Sequence, residues 1–393
     1  MRRHLTALSA FSSTLCSVEG RAAPSTVGVV GGGIAGVSAA RTLAQAGLQV
    51  VLHEREAQLG GRLGKVDVAG YAVGTGCSYI KAKTPEFTRQ LEEWSAAGLV
   101  AEWRDARPHL ITAPATWAPL EGEEQWYVGC PHMGSPTELS EERDGIRVVR
   151  GDVFDVNYES SKWVVAVQPM AEDEIMSLEQ ESESASVPID SYLHSALVVA
   201  TPVSDAADIL PRKLLDTALG RGRYKDFVKE RVSVAVVFES PLDVPFAFGV
   251  LTEKGSPVTV AICDTSRRAA ASGEDATGGE EVWVLQSDTG WARTALDEEM
   301  DSDAMGKALL ASFAAAVGTP LPPVRACETV VWPYGDMDYE LEGGCAWLDA
   351  CQLALAGDWA FNGRVEGAWL SGRAAAQQLI AARGRVVELE SKG

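Results

Sequence analysis

Gly31, Gly33 and Gly36 stand in the spacing G-x-G-x-x-G inside VVGGGIAG, and a carboxylate, Glu54, follows about 20 residues later. Residues of these types in this order bind a dinucleotide. Gly31 permits a tight turn. Gly33 lets backbone N–H groups approach a pyrophosphate, and Gly36 lets the following helix pack close to a strand. Ile34 and Ala35 lie inside the turn, where a helix N-terminus offers unpaired N–H donors and about half a positive charge. Glu54 is placed to accept hydrogen bonds from a ribose 2′-OH, with Arg55 beside it.

The elements that must position these residues are legible around them. Val27 to Val30 is a short apolar run suited to a buried parallel strand. Ala35 to Ala46 is rich in Ala and Leu and stops at Gly47, a natural residue just past a helix end. Gln49 to His53 is a second strand. The competing reading is a glycine-rich turn that binds nothing. Strand, helix and acid at the right distances argue against it.

A second glycine pair follows in Leu59-Gly60-Gly61-Arg62. An acid, a short spacer and then Gly-Gly-Arg resembles the extended motif of FAD-binding flavoproteins of the glutathione reductase and amine oxidase type. Gly60 and Gly61 allow another close backbone approach. Arg62 meets phosphate charge or is a surface arginine.

Other chemistries are poorly supplied. Seven cysteines, with no C-x-x-C pair, read as reduced thiols with neither a disulfide framework nor a zinc site. Five histidines include no H-x-x-x-H pair, so no metal is expected. The 393 residues carry a net charge of −21, which argues against nucleic acid and against an anionic membrane surface. No apolar run is long enough to span a membrane. The first 25 residues are basic and then rich in Ser, Thr, Ala and Leu, with no acid before Glu19. They resemble a chloroplast or mitochondrial transit peptide. A secretory signal or a disordered extension of a cytoplasmic protein are the competitors.

Further along, Val66 to Val73 reads as two short strands around Ala69-Gly70, and Pro85 to Ala97 as an amphipathic helix with Phe87, Leu91 and Trp94 on one face. Trp103 to Trp126 reads as short strands of a second layer. Ile146 to Val156 reads as strand, turn and strand. Residues 170–186 are strongly acidic and read as a solvated hairpin insertion. Ala196 to Ala200 reads as a strand leading into a helix from Val203 to Leu210. Val232 to Phe238, Val258 to Cys263 and Glu281 to Ser287 read as strands, and Ser266 to Glu281 as a loop. Met300 to Val317 reads as a helix with Met305, Leu309 and Phe313 inward, stopped by Pro320 and its neighbours. Leu353 to Ala356 is a short apolar strand ending at Gly357-Asp358. Val365 to Ala382 is a helix with small residues on one face.

Both ends together, VVGGGIAGVSAARTLAQAGLQVVLHEREAQLGGRLG and LALAGDWAFNGRVEGAWLSGRAAAQQL, resemble the renalase-like FAD-dependent oxidoreductases, near the flavin amine oxidases. That resemblance implies a discontinuous, doubly wound FAD-binding α/β domain of the glutathione reductase type with a β-meander (26–96, 128–211 and 352–385). It also implies an inserted mixed α+β substrate domain (97–127 and 212–351) and a tail (386–393). It places Gly357 and Asp358 at the ribityl–pyrophosphate side of non-covalent FAD, and Val365, Glu366 and Gly367 near the flavin pyrimidine edge. Val153, in the expected meander, completes the cofactor set. Without the resemblance, GDW and EGAWLSG read as a turn and a tightly packed helix.

Weaker matches lie between. Tyr79-Ile80-Lys81-Ala82-Lys83 resembles the family's GAQYFTAR segment, but Gly74-Thr75 replace its Asp-His and Ser78 its Gln. Gly129 to Gly134 resembles its G-x-P-G-M-S loop. Val330-Val331-Trp332-Pro333-Tyr334 keeps the tryptophan of its His-Arg-Trp. The substrate-facing candidates are therefore Trp332, Tyr334 and Lys81, against readings as a core tryptophan and exposed loop lysines. The implied activity is removal of a hydride from a small reduced substrate, of the NAD(P)H-related type among others, to flavin N5, with O2 or another acceptor reoxidising the flavin. An amine oxidase or desaturase of the same superfamily, and a flavin-binding protein without turnover, are the alternatives.

Overall fold

The computed structural model describes residues 25–122, 124–170, 189–221, 229–253, 255–273, 279–333, 340–361 and 363–390. Almost all of the N-terminal extension, residues 171–186 of the acidic stretch, and Tyr334 lie outside the described residues.

Two large sheets carry the chain. The first has eight strands, in the order Asp190–His194, Lys162–Pro169, Ile146–Glu159, Gln49–Glu54, Thr26–Val30, Ala196–Val199, Leu353–Leu355, Ala346–Leu348. The five strands from Ile146–Glu159 to Leu353–Leu355 are parallel neighbours; the others pair antiparallel. Thr26–Val30 lies between Gln49–Glu54 and Ala196–Val199, where strand order reverses. Open α/β sheets bind ligands at the C-terminal end of such a point. Both faces of the sheet are covered, which suits its continuous apolar strands. On one face, Val37, Ala40 and Leu43 of helix Ile34–Gln45 pack with Ala375, Ala376 and Leu379 of helix Arg364–Glu390. The other face is covered by Trp163, Val165 and Val167 of strand Lys162–Pro169 and by helices Val203–Ile209 and Arg212–Leu219.

The second sheet has seven strands, in the order Val324–Trp332, Arg231–Phe238, Glu281–Ser287, Val258–Cys263, Phe248–Leu251, Pro108–Ala113, Thr116–Pro119. Helix Ser302–Val317 buries Met305, Leu309 and Phe313 in the same apolar cluster as Val234, Val236 and Trp283. That cluster continues through Ile80 and Phe87 to Leu63 and to Ile34 and Trp369 of the two helices that cover the first sheet, whose own strands pack in separate clusters.

Several boundaries differ from expectation, each for a local reason. Helix Ser302–Val317 starts two residues later than Met300 because Asp301 caps it, accepting from the Ala304 N–H at 2.7 Å. It ends at Gly318, with φ +66°, ahead of the prolines. Ile146–Glu159 is one bent strand with no turn inside it. Gly151 makes room for its cross-strand neighbours, since a Cβ there would lie 2.5 Å from Gln168 O and 2.6 Å from Val167 Cγ1. The register shifts between Ala166 and Val167, which bends the ladder without breaking it.

Asp264–Ser272 is a helix where a loop from Ser266 was expected. It closes at Gly273, with φ +71°. Helix Arg212–Leu219 and strand Ala346–Leu348, assigned from sequence to the substrate domain, belong to the first sheet. Leu215 and Leu219 bury against Leu353 and Leu355, and Ala346–Leu348 pairs with Leu353–Leu355. The last helix, expected over Val365–Ala382, runs over Arg364–Glu390. Among the described residues, no helix is long and apolar enough to cross a membrane.

Candidate cofactor and active site

The first glycine turn leaves strand Thr26–Val30 at Gly31, whose φ of +99° favours glycine. Gly31 N–H donates to His53 O at 2.9 Å, and Gly32 N–H to Glu54 Oε2 at 2.5 Å. Gly33 is the residue before helix Ile34–Gln45 and supplies no side-chain cap; no acid stands in the first turn. The helix N-terminus thus keeps its donors and positive end for a ligand. Gly36 and Gly33 do different work. A Cβ on Gly36 would lie 1.8 Å from Gly31 O, whereas a Cβ on Gly33 would meet nothing within 4 Å. The open side of the turn is therefore at Gly33.

The second glycine turn packs directly on the first. Gly60 N–H donates to Gly32 O at 2.9 Å, and Gly33 and Gly60 form a parallel bridge. A Cβ on Gly61 would lie 3.5 Å from Gly33 Cα. From this turn Arg62 reaches Asp358, Nη2 to Oδ1 at 2.5 Å. Asp358 is buried just beyond strand Leu353–Leu355, and Gly357 N–H donates to Ser371 Oγ at 3.0 Å. Helix Arg364–Glu390 then lies against the first helix at backbone distance: a Cβ on Gly372 would come 2.0 Å from Ala35 O. Ser38 Oγ donates to Trp369 O at 2.8 Å across the same contact.

Gly31, Gly33, Ile34, Ala35, Gly36, Gly61, Arg62, Gly357 and Asp358 are thus brought into one linked set, with Val365, Glu366 and Gly367 on the first turn of the last helix. Glu366 spends its carboxylate on the chain itself, accepting from Lys83 N–H at 3.0 Å and from Thr84 N–H and Oγ1, each at 2.7 Å. Glu54 likewise braces the turns, accepting from Gly32 N–H and, at 2.8 Å, from Glu56 N–H. Burial raises its pKa. Its oxygens retain further lone pairs. Arg55 points to the surface, 3.4 Å from Asp205. Val153 packs inside the meander with Val156 and Val167.

The substrate-facing candidates are less concentrated. Trp332 ends strand Val324–Trp332 opposite Arg231, with its buried indole N–H unpartnered. Lys81 Nζ is 2.5 Å from Glu124 Oε2, an ion pair half open to solvent. Beside it Tyr79 stacks on Trp126 with centroids 4.0 Å apart, and Phe248 meets Trp126 edge-on at 4.8 Å. This aromatic wall was not anticipated, because Trp126 and Phe248 are far from Tyr79 in sequence and no local pattern joins them. Burial pushes the Cys77 thiol up to about 11, which keeps it protonated at neutral pH and slow to react.

A family model described as an NAD(P)-binding Rossmann-like domain matches residues 29–94, the strand, turns and helix just described. Solved structures match over nearly the whole chain. Cyclohexylamine oxidase from Brevibacterium oxydans IH-35A matches at TM-score 0.60 and 13% identity, covering 91% of this chain and 99% of that one. Putrescine oxidase with putrescine bound matches at TM-score 0.59 and 13% identity, with the same coverage. A candidate protoporphyrinogen oxidase from Exiguobacterium sp. 255-15 matches at TM-score 0.66 and 11% identity, again covering 91% and 99%.

The chain has the fold of these oxidases.

The residues present fit a dinucleotide. The turn is open at Gly33, the helix N-terminus is uncapped, and buried hydroxyls stand without partners nearby. One is Thr201 Oγ1, whose residue packs against Gly31; another is Thr75 Oγ1, in the segment that passes under Arg62. Unpartnered buried polar atoms are costly unless a ligand or water meets them.

Proposed function

We propose that this chain is an FAD-dependent oxidoreductase of the renalase-like type, acting on a small reduced substrate. The observation that carries the reading is the junction at Gly33, where two glycine turns and an uncapped helix meet with the Arg62–Asp358 pair alongside. A plain nucleotide turn needs only the first of these.

In this reading the amides at Gly33, Ile34 and Ala35 hold the pyrophosphate at the helix N-terminus. Glu54 fixes the turn through Gly32 and offers its remaining lone pairs to the adenosine ribose. Arg62 and Asp358, each orienting the other, face the middle of the dinucleotide. The start of helix Arg364–Glu390 supports the far end, where its backbone donors favour negative charge. When bound, FAD would supply the two-electron chemistry, with N5 as hydride acceptor and O2 or another acceptor for reoxidation. Trp332 shapes the substrate side. Lys81, neutralised by Glu124, orients or screens the substrate and does not serve as a base. A substrate that becomes aromatic on losing hydride needs no strong base.

A second reading, an amine oxidase, is favoured by the fold shared with putrescine and cyclohexylamine oxidases and by the aromatic wall of Tyr79, Trp126 and Phe248. Anaerobic mixing of the FAD-loaded protein with isomeric dihydro-NAD(P) species, putrescine and cyclohexylamine separates the readings. Rapid bleaching by a dihydropyridine supports the first. Bleaching by amines alone selects the second. Bound flavin that no reduced compound bleaches leaves binding without turnover and contradicts both.

A further inference from the structure

Five consecutive backbone carbonyls, from Gly74 to Ser78, are gripped by two side chains of the second sheet's unit. Arg267, on helix Asp264–Ser272, donates through Nη2 to Gly74 O at 2.7 Å and through Nη1 to Cys77 O at 3.0 Å and Ser78 O at 3.3 Å. Gln286, on strand Glu281–Ser287, donates through Nε2 to Thr75 O at 2.9 Å and Gly76 O at 3.0 Å, while its Oε1 accepts from Ser78 Oγ at 3.2 Å. Both side chains are almost fully buried.

The grip is itself anchored. Asp264 Oδ1 accepts from Arg267 Nε at 3.1 Å and from Nη2 at 2.5 Å, and its Oδ2 accepts from Arg268 Nε at 2.9 Å. The guanidinium's five N–H donors therefore all have acceptors, two bonds to the carboxylate and three to the segment. Burying a charged arginine is costly unless it is fully paired. A segment needing only to be covered could be covered by apolar residues. An arginine and a glutamine here fix where the peptide planes face.

The grip leaves several polar groups of the segment over. Among the described residues, no amide of Thr75 to Tyr79 donates to a protein acceptor. The Thr75 hydroxyl is wholly buried and unpartnered. The segment also supports Arg62: a Cβ on Gly76 would lie 2.4 Å from Arg62 O, and Arg62 holds Asp358.

We propose that Arg267 and Gln286 are positioning residues that hold Gly74–Ser78 beneath Arg62 and turn its free amides and the Thr75 hydroxyl toward bound cofactor. The proposal rests on reading the two glycine turns as a flavin site and extends it: the second sheet's unit completes a site built mainly by the first. It assigns a purpose to the Asp264-x-x-Arg267 pair that the nucleotide motifs leave unused.

The test uses the full chain with Arg267→Lys and Gln286→Glu, which keep charge or shape but cannot span the same carbonyls. Two readouts are taken. One is the FAD dissociation constant. The other is the rate at which Cys77, inside the segment, is alkylated in FAD-free protein, against Cys345 and Cys351, which pack on the first sheet, as internal controls. The expected result is alkylation of Cys77 about 10-fold faster, controls unchanged, and FAD bound about 10-fold more weakly, as the loss of one to two charge-assisted or buried hydrogen bonds implies. Cys77 labelling at the wild-type rate, or all three thiols rising together, overturns the grip. Faster Cys77 with unchanged FAD affinity overturns its role toward the cofactor. Wild-type protein that takes up no FAD removes the flavin reading, while the labelling still decides the grip.

Discussion

Arg62 Nη2 sits 2.5 Å from Asp358 Oδ1, joining the second glycine turn to the end of the last parallel strand across 296 residues of chain. Asp358 is buried, while about a third of the Arg62 side chain remains exposed. Solvent screening therefore places this pair between a surface and a buried ion pair, at about 1–2 kcal/mol. Arg62→Met is expected to lower stability by about that amount, because it leaves a buried carboxylate without its partner. FAD affinity is expected to fall about 10-fold or more in Arg62→Met and in Asp358→Asn, read by fluorescence titration. A double-mutant cycle should give coupling between the two changes, since each disturbs the other's orientation.

The two inner glycines of the first turn separate folding from binding. Gly36→Ala would place a methyl group 1.8 Å from Gly31 O, and helix Ile34–Gln45 must move to admit it. A loss of about 3 kcal/mol or more is expected, visible as a large drop in Tm. Gly33→Ala meets no protein atom within 4 Å, and its φ of −68° suits alanine. It should melt like wild type and bind FAD about 10-fold more weakly or worse, because its methyl occupies the ligand's side of the turn. Equal Tm losses in both variants would contradict the assignment of an open face at Gly33.

Acid stability should be set by a buried histidine pair in the first sheet. His53 Nε2 and His194 Nε2 are 3.0 Å apart, and His194 Nδ1 is 2.8 Å from Thr26 Oγ1. Thr26 donates its hydroxyl proton to Leu193 O, so His194 Nδ1–H donates to Thr26, and His53 Nε2–H to the bare His194 Nε2. Both imidazoles are neutral in this chain of bonds. Burial, with charge repulsion in the case of His53, pushes His53 down to about 3; burial pushes His194 down to about 4. Folded-state values below the unfolded one give stability that is complete above about pH 6.5 and is lost as pH falls through the window to 4 and 3. At pH 5 the loss should be about 2 kcal/mol per imidazole. Urea melts of wild type and a His53→Gln, His194→Gln double variant between pH 7 and 5 check this. The variant should show a distinctly flatter pH dependence.

The Glu366 bracket should matter to the helix it caps. Its carboxylate meets Thr84 N–H and Oγ1 and Lys83 N–H at the entry to helix Pro85–Ala96. Glu366→Ala leaves these part-buried donors without their acceptor and is expected to cost about 1–2 kcal/mol. Glu366→Gln, which keeps one acceptor oxygen, should cost less. Hydrogen exchange in residues 84–90 should rise in step with the loss.

How much of this was legible in the sequence follows from the range of the interactions. Gly31, Gly33 and Gly36 are readable because their task is local: turn, approach, helix entry. Glu54 is readable because a strand and helix of ordinary length bring it back to the turn. Gly151 followed by Asp152 looks like a turn, yet this glycine serves its partner strand, which only tertiary pairing reveals. Gly372 looks like one more small residue until Ala35 O is found against it. Arg267 was lost in a stretch rich in charge and glycine. Its spacing of three from Asp264 is a helical signal, but its real acceptors are carbonyls nearly 190 residues earlier. The aromatic wall joining Tyr79, Trp126 and Phe248 is equally non-local.

The central claim is that the glycine turns meeting at Gly33 hold FAD. Protein stripped of small molecules and titrated with FAD, followed by visible absorbance and flavin fluorescence, tests it most directly. The account predicts saturation at one FAD per chain, with shifted flavin bands and binding weakened by Gly33→Ala and Asp358→Asn but not by Arg55→Gln, whose side chain faces the surface. Folded, monodisperse protein that binds no FAD at micromolar concentrations, or binds it equally well in all three variants, would contradict it.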